Sequence, residues 1–544
     1  MSNVNSQRSF FGFLVAGAIA LVIIAIGLFY WFFAKTPVNL VTSTSEPQAA
    51  IFVSKVAPVM VSLLNNPERL WERQGQLSQL KTSLLAKTDI DYKQDIKPWL
   101  GNEITLAVTT IDIDRDPENG QQPGYLMALA TKKPETSREF LELLFSRRVL
   151  AGANLEVEKY AGVKLLSDSS SQVNALSAAV VDDFVLFAND AKVLRDAINN
   201  VQAPDLNLSS SSRYQRALQQ LPKATLATAF LNLPAVAAWQ GLELPAATFD
   251  SQLISLSLHP QGLFAESNFL TDSEIMPVSA PLSQNVGALA YIPDGVGLVI
   301  SGTNLNNLPN SDLGQLWKQA TTAVFASGTD AISSWGKPLE NLGVKTEDIF
   351  SWVKGEYALA VLPHPGVGGV NWVFVVEKLE DVPGGIARLD TIASEQGLSV
   401  SSFNWNQKTV FAWAELTPTQ TDTPEGLSFN IEAQVRGVHT NEGNYEIFAS
   451  NLETLAPLIT TKNAAMIGDR HFQDSIVGIP QPNQGYVYLD WTKSRTLLER
   501  QVPSLQLVEI VGKSFWQKLR SLTLSSYSQE KGLVKTGVLF RFLD

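Results

Sequence analysis

An internal duplication constrains this chain more than any other feature, because segments that recur in order must fold the same way twice. Asp95 to Val108 reads DIKPWLGNEITLAV and Asp348 to Val361 reads DIFSWVKGEYALAV, with seven of 14 positions identical at an offset of 253. Three further blocks recur in the same order. LFANDAKVL from Leu186 returns as IFASNLETL from Ile447, and the segment from Tyr214 returns from Phe472 with Gln215, Pro222 and Leu231 repeated as Gln473, Pro480 and Leu489. Ser255 to Leu258 then matches Ser521 to Leu524, and Gly262 and Leu263 match Gly532 and Leu533. A single core stops growing at about 250–300 residues, so two homologous units also account for a length of 544. The expected organisation is a first repeat domain over 49–275, a linker over 276–282 punctuated by Pro277 and Pro281, and a second repeat domain over 283–544.

Ahead of the repeats, Phe10 to Phe33 is a run of 24 residues without a charge, and about 20 such residues cross a bilayer core as a helix. A cleaved secretory signal has a shorter apolar region followed by small residues. Here Phe29, Tyr30, Trp31, Phe32 and Phe33 close the run, which suits an aromatic belt at the membrane–water interface. The reading is therefore a cytoplasmic amino terminus over 1–9, a transmembrane signal anchor over 10–33 and a tether over 34–48 rich in Pro, Ser and Thr. Arg8 and the free amino terminus precede the run, whereas Lys35 and Glu46 follow it. That asymmetry favours a single-pass protein whose remaining mass is extracytoplasmic.

Within each unit the apolar pattern changes period. Pro67 to Ala86, with a counterpart in Asp312 to Ser327, has helical spacing of leucines. After the tryptophan motif, EITLAVTTI and GYLMALAT flank a polar turn, as EYALAVLP and NWVFVVEKL do in the second unit. A helix over Thr136 to Val149, strands around Val163 to Leu166 and Ala178 to Ala188, a helix from Asp190, a strand from Ala224 to Leu233 and a terminal hairpin complete the unit. Short connections favour antiparallel pairing. The expected fold class is α+β: a single amino-terminal transmembrane helix followed by two tandem homologous domains, each an antiparallel sheet partly covered by helices.

Composition narrows the chemistry. A formal charge of −12 makes nucleic acid an unlikely partner, and the absence of cysteine removes thiolate metal sites and thiol nucleophiles. His259, His364, His439 and His471 are the whole supply of imidazole. The repeat motif Asp95, Trp99, Gly101 and Glu103, recurring as Asp348, Trp352 and Glu356, offers carboxylates eight residues apart, but a structural role explains it more cheaply. Trp99 would bury its ring at a helix–strand junction, Asp95 would cap a short turn, and Gly101 or Gly355 would turn the chain into the strand. Asp112, Asp114, Asp116 and Glu118 alternate like the start of a calcium loop, yet Pro117 and Pro123 occupy the positions of its glycine and glutamate, so a solvated hairpin tip is expected. Gly366, Gly368 and Gly369 precede a strand and make no dinucleotide fingerprint. No cofactor, metal or catalytic set is expected, and Trp372, Trp405 and Trp413 are read as core before ligand surface.

The motif carried by Asp95, Trp99, Leu100, Gly101 and Glu103, behind an amino-terminal anchor, resembles the domain of unknown function 3352 family, found largely in photosynthetic bacteria. The second copy departs from it, with Val353 and Lys354 where the first has Leu100 and Gly101. The resemblance implies a plasma or thylakoid membrane, with the soluble part in periplasm or lumen, and transfers no activity. The functional expectation is a membrane-tethered binding or scaffold protein without catalysis, engaging a membrane-protein partner or lipid. A carrier of an apolar ligand is the first alternative and an envelope hydrolase the second.

Overall fold

The computed structural model describes residues 46–64, 92–116, 118, 120–168, 175–222, 225–239, 249–272, 282, 285–306, 351–363, 370–423, 426–460, 465–501, 513–527 and 530–543. The anchor expected over 10–33, the helices expected over 67–86 and 312–327, the glycine loop over 366–369 and Asp348 lie outside the described residues. Among the described residues, no helix is long and apolar enough to cross a membrane.

The first half contributes β1 (Val59–Leu63), β2 (Leu100–Thr110), β3 (Gly124–Thr131), β4 (Leu155–Tyr160), β5 (Val163–Asp168), β6 (Leu176–Val181), β7 (Phe184–Ala188), β8 (Thr225–Asn232), β9 (Ser251–His259) and β10 (Gly262–Leu270). Their spatial order is β4-β5-β6-β7-β3-β2-β1-β8-β9-β10, with every neighbouring pair antiparallel. The second half contributes β11 (Leu298–Thr303), β12 (Glu356–Pro363), β13 (Val370–Glu377), β14 (Ser399–Trp405), β15 (Lys408–Thr423), β16 (Gly426–Glu442), β17 (Tyr445–Ala449), β18 (Tyr486–Asp490), β19 (Leu519–Ser526) and β20 (Leu533–Phe542). Its order, β14-β15-β16-β17-β13-β12-β11-β18-β19-β20, is that of the first half strand for strand. The segment read as strand from Ala178 to Ala188 is a hairpin, broken where Asp182 takes a φ of 48°.

The two halves do not hang apart. β10 and β20 pair antiparallel from Leu263↔Phe540 to Leu270↔Leu533, which joins both sheets into one, of 20 strands among the described residues. A shared core crosses this seam, placing Leu226, Leu256 and Leu263 in one cluster with Trp491, Trp516, Leu519 and Phe540. Leu282, assigned to the linker, is bridged to Asn483 and so belongs to the folded body. Gly262, at the start of β10, has a φ of 152°, and a Cβ there would fall inside the Phe540 carbonyl oxygen. Gly262→Ala is therefore expected to cost about 1–3 kcal/mol through forced backbone movement at the seam. A thermal melt matching that of the parent would refute the close approach.

Helices cover both faces of the sheet because its strands are apolar on both sides. On β3, Leu126 and Ala128 join the cluster under a single-turn 3-10 helix (Gln48–Phe52), α2 (Ala191–Gln202) and α3 (Ser212–Leu218). Leu129, on the opposite face, joins Trp99 and Phe140 under α1 (Pro134–Leu150). α4 (Leu233–Trp239) covers the strands nearer the seam. The second half repeats the scheme with α5 (Val382–Glu395) over Trp352 on one face. On the other lie a 3-10 helix (Gly287–Tyr291), α6 (Leu452–Thr460) and α7 (Arg470–Val477). α8 (Trp491–Gln501) and α9 (Lys513–Lys518) stack Trp491 on Trp516 at 5.0 Å between ring centres.

One difference between the halves is large. β15 and β16 remain paired out to Thr423↔Gly426, whereas β14 pairs no further than Ala414 and β17 no further than Val438. Beyond those points the two strands form a ribbon with no lateral neighbour among the described residues, and Ile431 on it is 72% exposed. The β5–β6 ladder of the first half ends at Asp168↔Leu176.

Candidate functional site

The repeated motif is structural in its contacts. Asp95 lies in a helical turn over Tyr92–Ile96, and its carbonyl accepts a 2.7 Å hydrogen bond from Trp99 Nε1. That bond frees the indole to bury completely, 5.4 Å from the ring of Phe140 on α1. Gly101 is not in a turn: it lies within β2, where a Cβ would press on Ala130 at 3.0 Å. Glu103 projects to the opposite face and accepts from the backbone N–H of Gln48 at 2.9 Å and of Ala49 at 3.0 Å. It therefore caps the 3-10 helix that opens the first half. Thr105 also donates to it at 2.8 Å, while burial pushes its carboxyl above the usual range against those bonds. Glu356 repeats the device, accepting from Gly287 N–H at 2.7 Å and from the Tyr445 hydroxyl at 2.8 Å. Trp352 packs under α5, where Gly385 has room only for hydrogen above the indole. The two carboxylates of the first motif thus work on different faces of the sheet, with Asp95 3.8 Å from Arg147.

The acidic loop uses its own side chains. Asp114 accepts from Asp116 N–H and Asp116 from Glu118 N–H, both at 3.0 Å, as in Asx turns. Among the described residues, no group of three or more His, Asp or Glu could hold a metal ion.

The arrangement that stands out lies in the second half, between α5 and the strands β15, β16 and β17. A groove of about 630 Å³ opens there, within the range of small-molecule sites. Val382, Pro383, Ile386 and Ala387 of α5 form one wall, and Phe411, Thr409, His439 and Glu446 form the other. His439 is 2% exposed and its Nδ1 lies 2.7 Å from Glu446 Oε1, so the carboxylate accepts from Nδ1–H and fixes the ring. The imidazole is stacked between Phe411 at 4.9 Å and Phe448 at 5.2 Å. Its second nitrogen, Nε2, is buried without a hydrogen-bond partner among the described residues. An imidazole oriented by a carboxylate can act as a base or bind a polar group. No hydroxyl is bonded to Nε2, so no nucleophile–base pair is assembled there among the described residues. Asp390, also at the groove, is held by Trp413 Nε1 at 2.7 Å, and Lys408 is paired with Glu442.

Residues 14–542 match the family described as Protein of unknown function (DUF3352). The chain belongs to that family. No curated protein matches the sequence. Two solved structures, crystal forms I and IV of TP0453, align with TM-scores of 0.25 at 9% and 8% identity. Form I covers 43% of this chain and 82% of its own, and form IV covers 41% and 80%. A TM-score that low does not define a shared fold.

In this DUF3352 chain the halves themselves provide the comparison. His439 faces Phe411 and Phe448 across its neighbouring strands, in the register where Ala178 faces Leu166 and Phe187. Likewise Glu446 is opposite Asn441, as Val185 is opposite Val180. The first half therefore fills with Ala178 and Val185, both fully buried, the place where the second half holds a histidine and a glutamate. Reading the residues missed this pair. A signal was present: a hairpin turning at Gly443 and Asn444 puts His439 diagonal to Glu446 on one face.

Proposed function

We propose that the protein is a membrane-tethered, extracytoplasmic binding protein whose groove beside α5 holds a small amphipathic ligand. The observation that carries this reading is the groove itself: an open cavity of about 630 Å³ with one aliphatic wall and one wall bearing a buried imidazole–carboxylate pair. Ligand sites combine a mostly apolar lining with a few fixed polar groups, and this groove has both. The polar pair stands in one of the two duplicated halves, where the first half packs Ala178 and Val185, and this supports a role beyond packing. The 24-residue apolar run supports tethering, with the charge balance around it supporting an extracytoplasmic body.

The test is native mass spectrometry of the full-length chain released from its own membrane, beside an Ala387→Trp variant. Ala387 is exposed on the groove side of α5, so the indole fills the cavity without entering the core. An adduct of small-molecule mass is expected on the parent, with occupancy reduced about tenfold or more in the variant, roughly 1.4 kcal/mol of lost affinity. An adduct retained unchanged by Ala387→Trp would place binding elsewhere. For the topology, protease added to intact spheroplasts is expected to digest the soluble part if the membrane is the plasma membrane. Protection would favour a thylakoid lumen or the reverse orientation.

A further inference from the structure

Resting on the groove being a ligand site, we infer that its ligand carries a planar aromatic ring, stacked on the open side of Phe411. Two groove residues, Phe411 and His439, belong to a row of side chains that crosses four strands on one face of the sheet. Phe448 of β17 is opposite His439 of β16, His439 is opposite Phe411 of β15, and Phe411 is opposite Ser402 of β14. Side chains directly opposite one another share a face and are neighbours on it. The three rings are close to parallel, the imidazole lying 12° from the plane of Phe411 and 27° from that of Phe448. A column of stacked rings therefore reaches the edge strand and stops at a serine, which is too small to cover the last ring.

Exposure agrees with that reading. Phe411 is 38% exposed although His439 covers one of its sides, so its open surface is the ring edge and the side away from the imidazole. Ser402, at the next place in the row, is itself exposed. The first half fills the corresponding row with Phe187, Ala178, Leu166 and Val157, which is no column of rings. A ring laid on Phe411 would continue the stack, with Ile386 and Ala387 of α5 on the other wall of the groove. An aromatic pair is worth about 0.5–1.5 kcal/mol beyond the area it buries, a gain that a saturated ring of the same size does not share.

The experiment is equilibrium dialysis of the full-length chain in lipid nanodiscs against radiolabelled 2-phenylethanol and 2-cyclohexylethanol, with empty nanodiscs subtracted. The parent is expected to prefer the aromatic probe by about two- to tenfold, although the saturated one is the more apolar. Phe411→Leu, which installs the residue that the first half packs at this place, is expected to bind the saturated probe as before and to lose the preference. Ser402→Phe, at an exposed position, supplies a fourth ring from the chain itself and is expected to weaken binding of the aromatic probe by a similar factor. Equal affinity of the parent for both probes, or a preference that survives Phe411→Leu, would overturn the inference and leave the groove as a ligand site. So would aromatic binding unchanged by Ser402→Phe. Binding of neither probe by the parent would overturn the groove as a ligand site, and this inference with it.

Discussion

Replacing Trp99 by alanine is expected to lower the stability of the first half by about 3–5 kcal/mol, the span observed when a fully buried tryptophan is truncated. The ring is 0% exposed, and it ties two elements to the sheet. Its Nε1 holds the turn that carries Asp95, and its face meets Phe140 of α1. Removing it leaves a cavity under α1 and takes the indole N–H away from the Asp95 carbonyl. The loss would be read as faster hydrogen exchange of α1 and β2 amides together with a lower urea midpoint. Exchange unchanged in α1 would mean that the helix docks without the ring.

The second large effect is expected at Glu103. Alanine there strips the acceptor from Gln48 N–H, Ala49 N–H and the Thr105 hydroxyl; Thr105 keeps Ser62 at 2.7 Å, and the buried Ala49 N–H left unpaired costs about 1–3 kcal/mol. Glu356→Ala should reproduce the loss in the second half at Gly287 and Tyr445. Glu103→Gln retains one acceptor and is expected to cost less. It also removes a pH dependence whose sign is fixed. Because burial raises the carboxyl above its ordinary 4.5, its contribution is fully present below that pH and fades as pH rises through the folded value. Urea titrations between pH 4 and 8 would show this slope in the parent and its absence in the glutamine variant. A steeper slope in the variant would contradict the assignment.

The duplication, the α+β class and the antiparallel hairpins were legible because each rests on local pattern: Trp99 and Trp352 with their following strands, and loops too short for crossovers. The seam was not legible. β10 and β20 are apolar on both faces, and no local rule tells a strand that pairs with its neighbour from one that pairs 270 residues away. The ribbon of β15 and β16 was missed because LTPTQTDTPEGLSF reads as turn material, with Pro418 and Pro424 breaking the strand pattern. At the motif, sequence favoured structure over chemistry. It misassigned Gly101, because a close approach to Ala130 depends on a neighbouring strand rather than on any residue nearby in the chain. The groove was hidden for the same reason, since α5 reaches the His439 ring only through tertiary packing.

The register of the seam has a further consequence. Leu263 and Leu533 are equivalent positions, as are Leu270 and Phe540, and each pairs with the other's counterpart. A half-turn about a point between Glu266 and Ser267 therefore carries the ladder onto itself, the hallmark of an isologous contact between identical subunits. A single repeat with this strand at its margin would find a ready partner in its own copy, which would shelter an edge otherwise open to aggregation. The register is the one that fusing two such self-paired copies into one polypeptide would leave. Residues 46–272 alone are accordingly expected to sediment as a dimer, and a monomer that resists association would count against this origin. Once the copies were no longer encoded by one sequence, one could keep an alanine and a valine in its core while the other acquired a histidine and a glutamate.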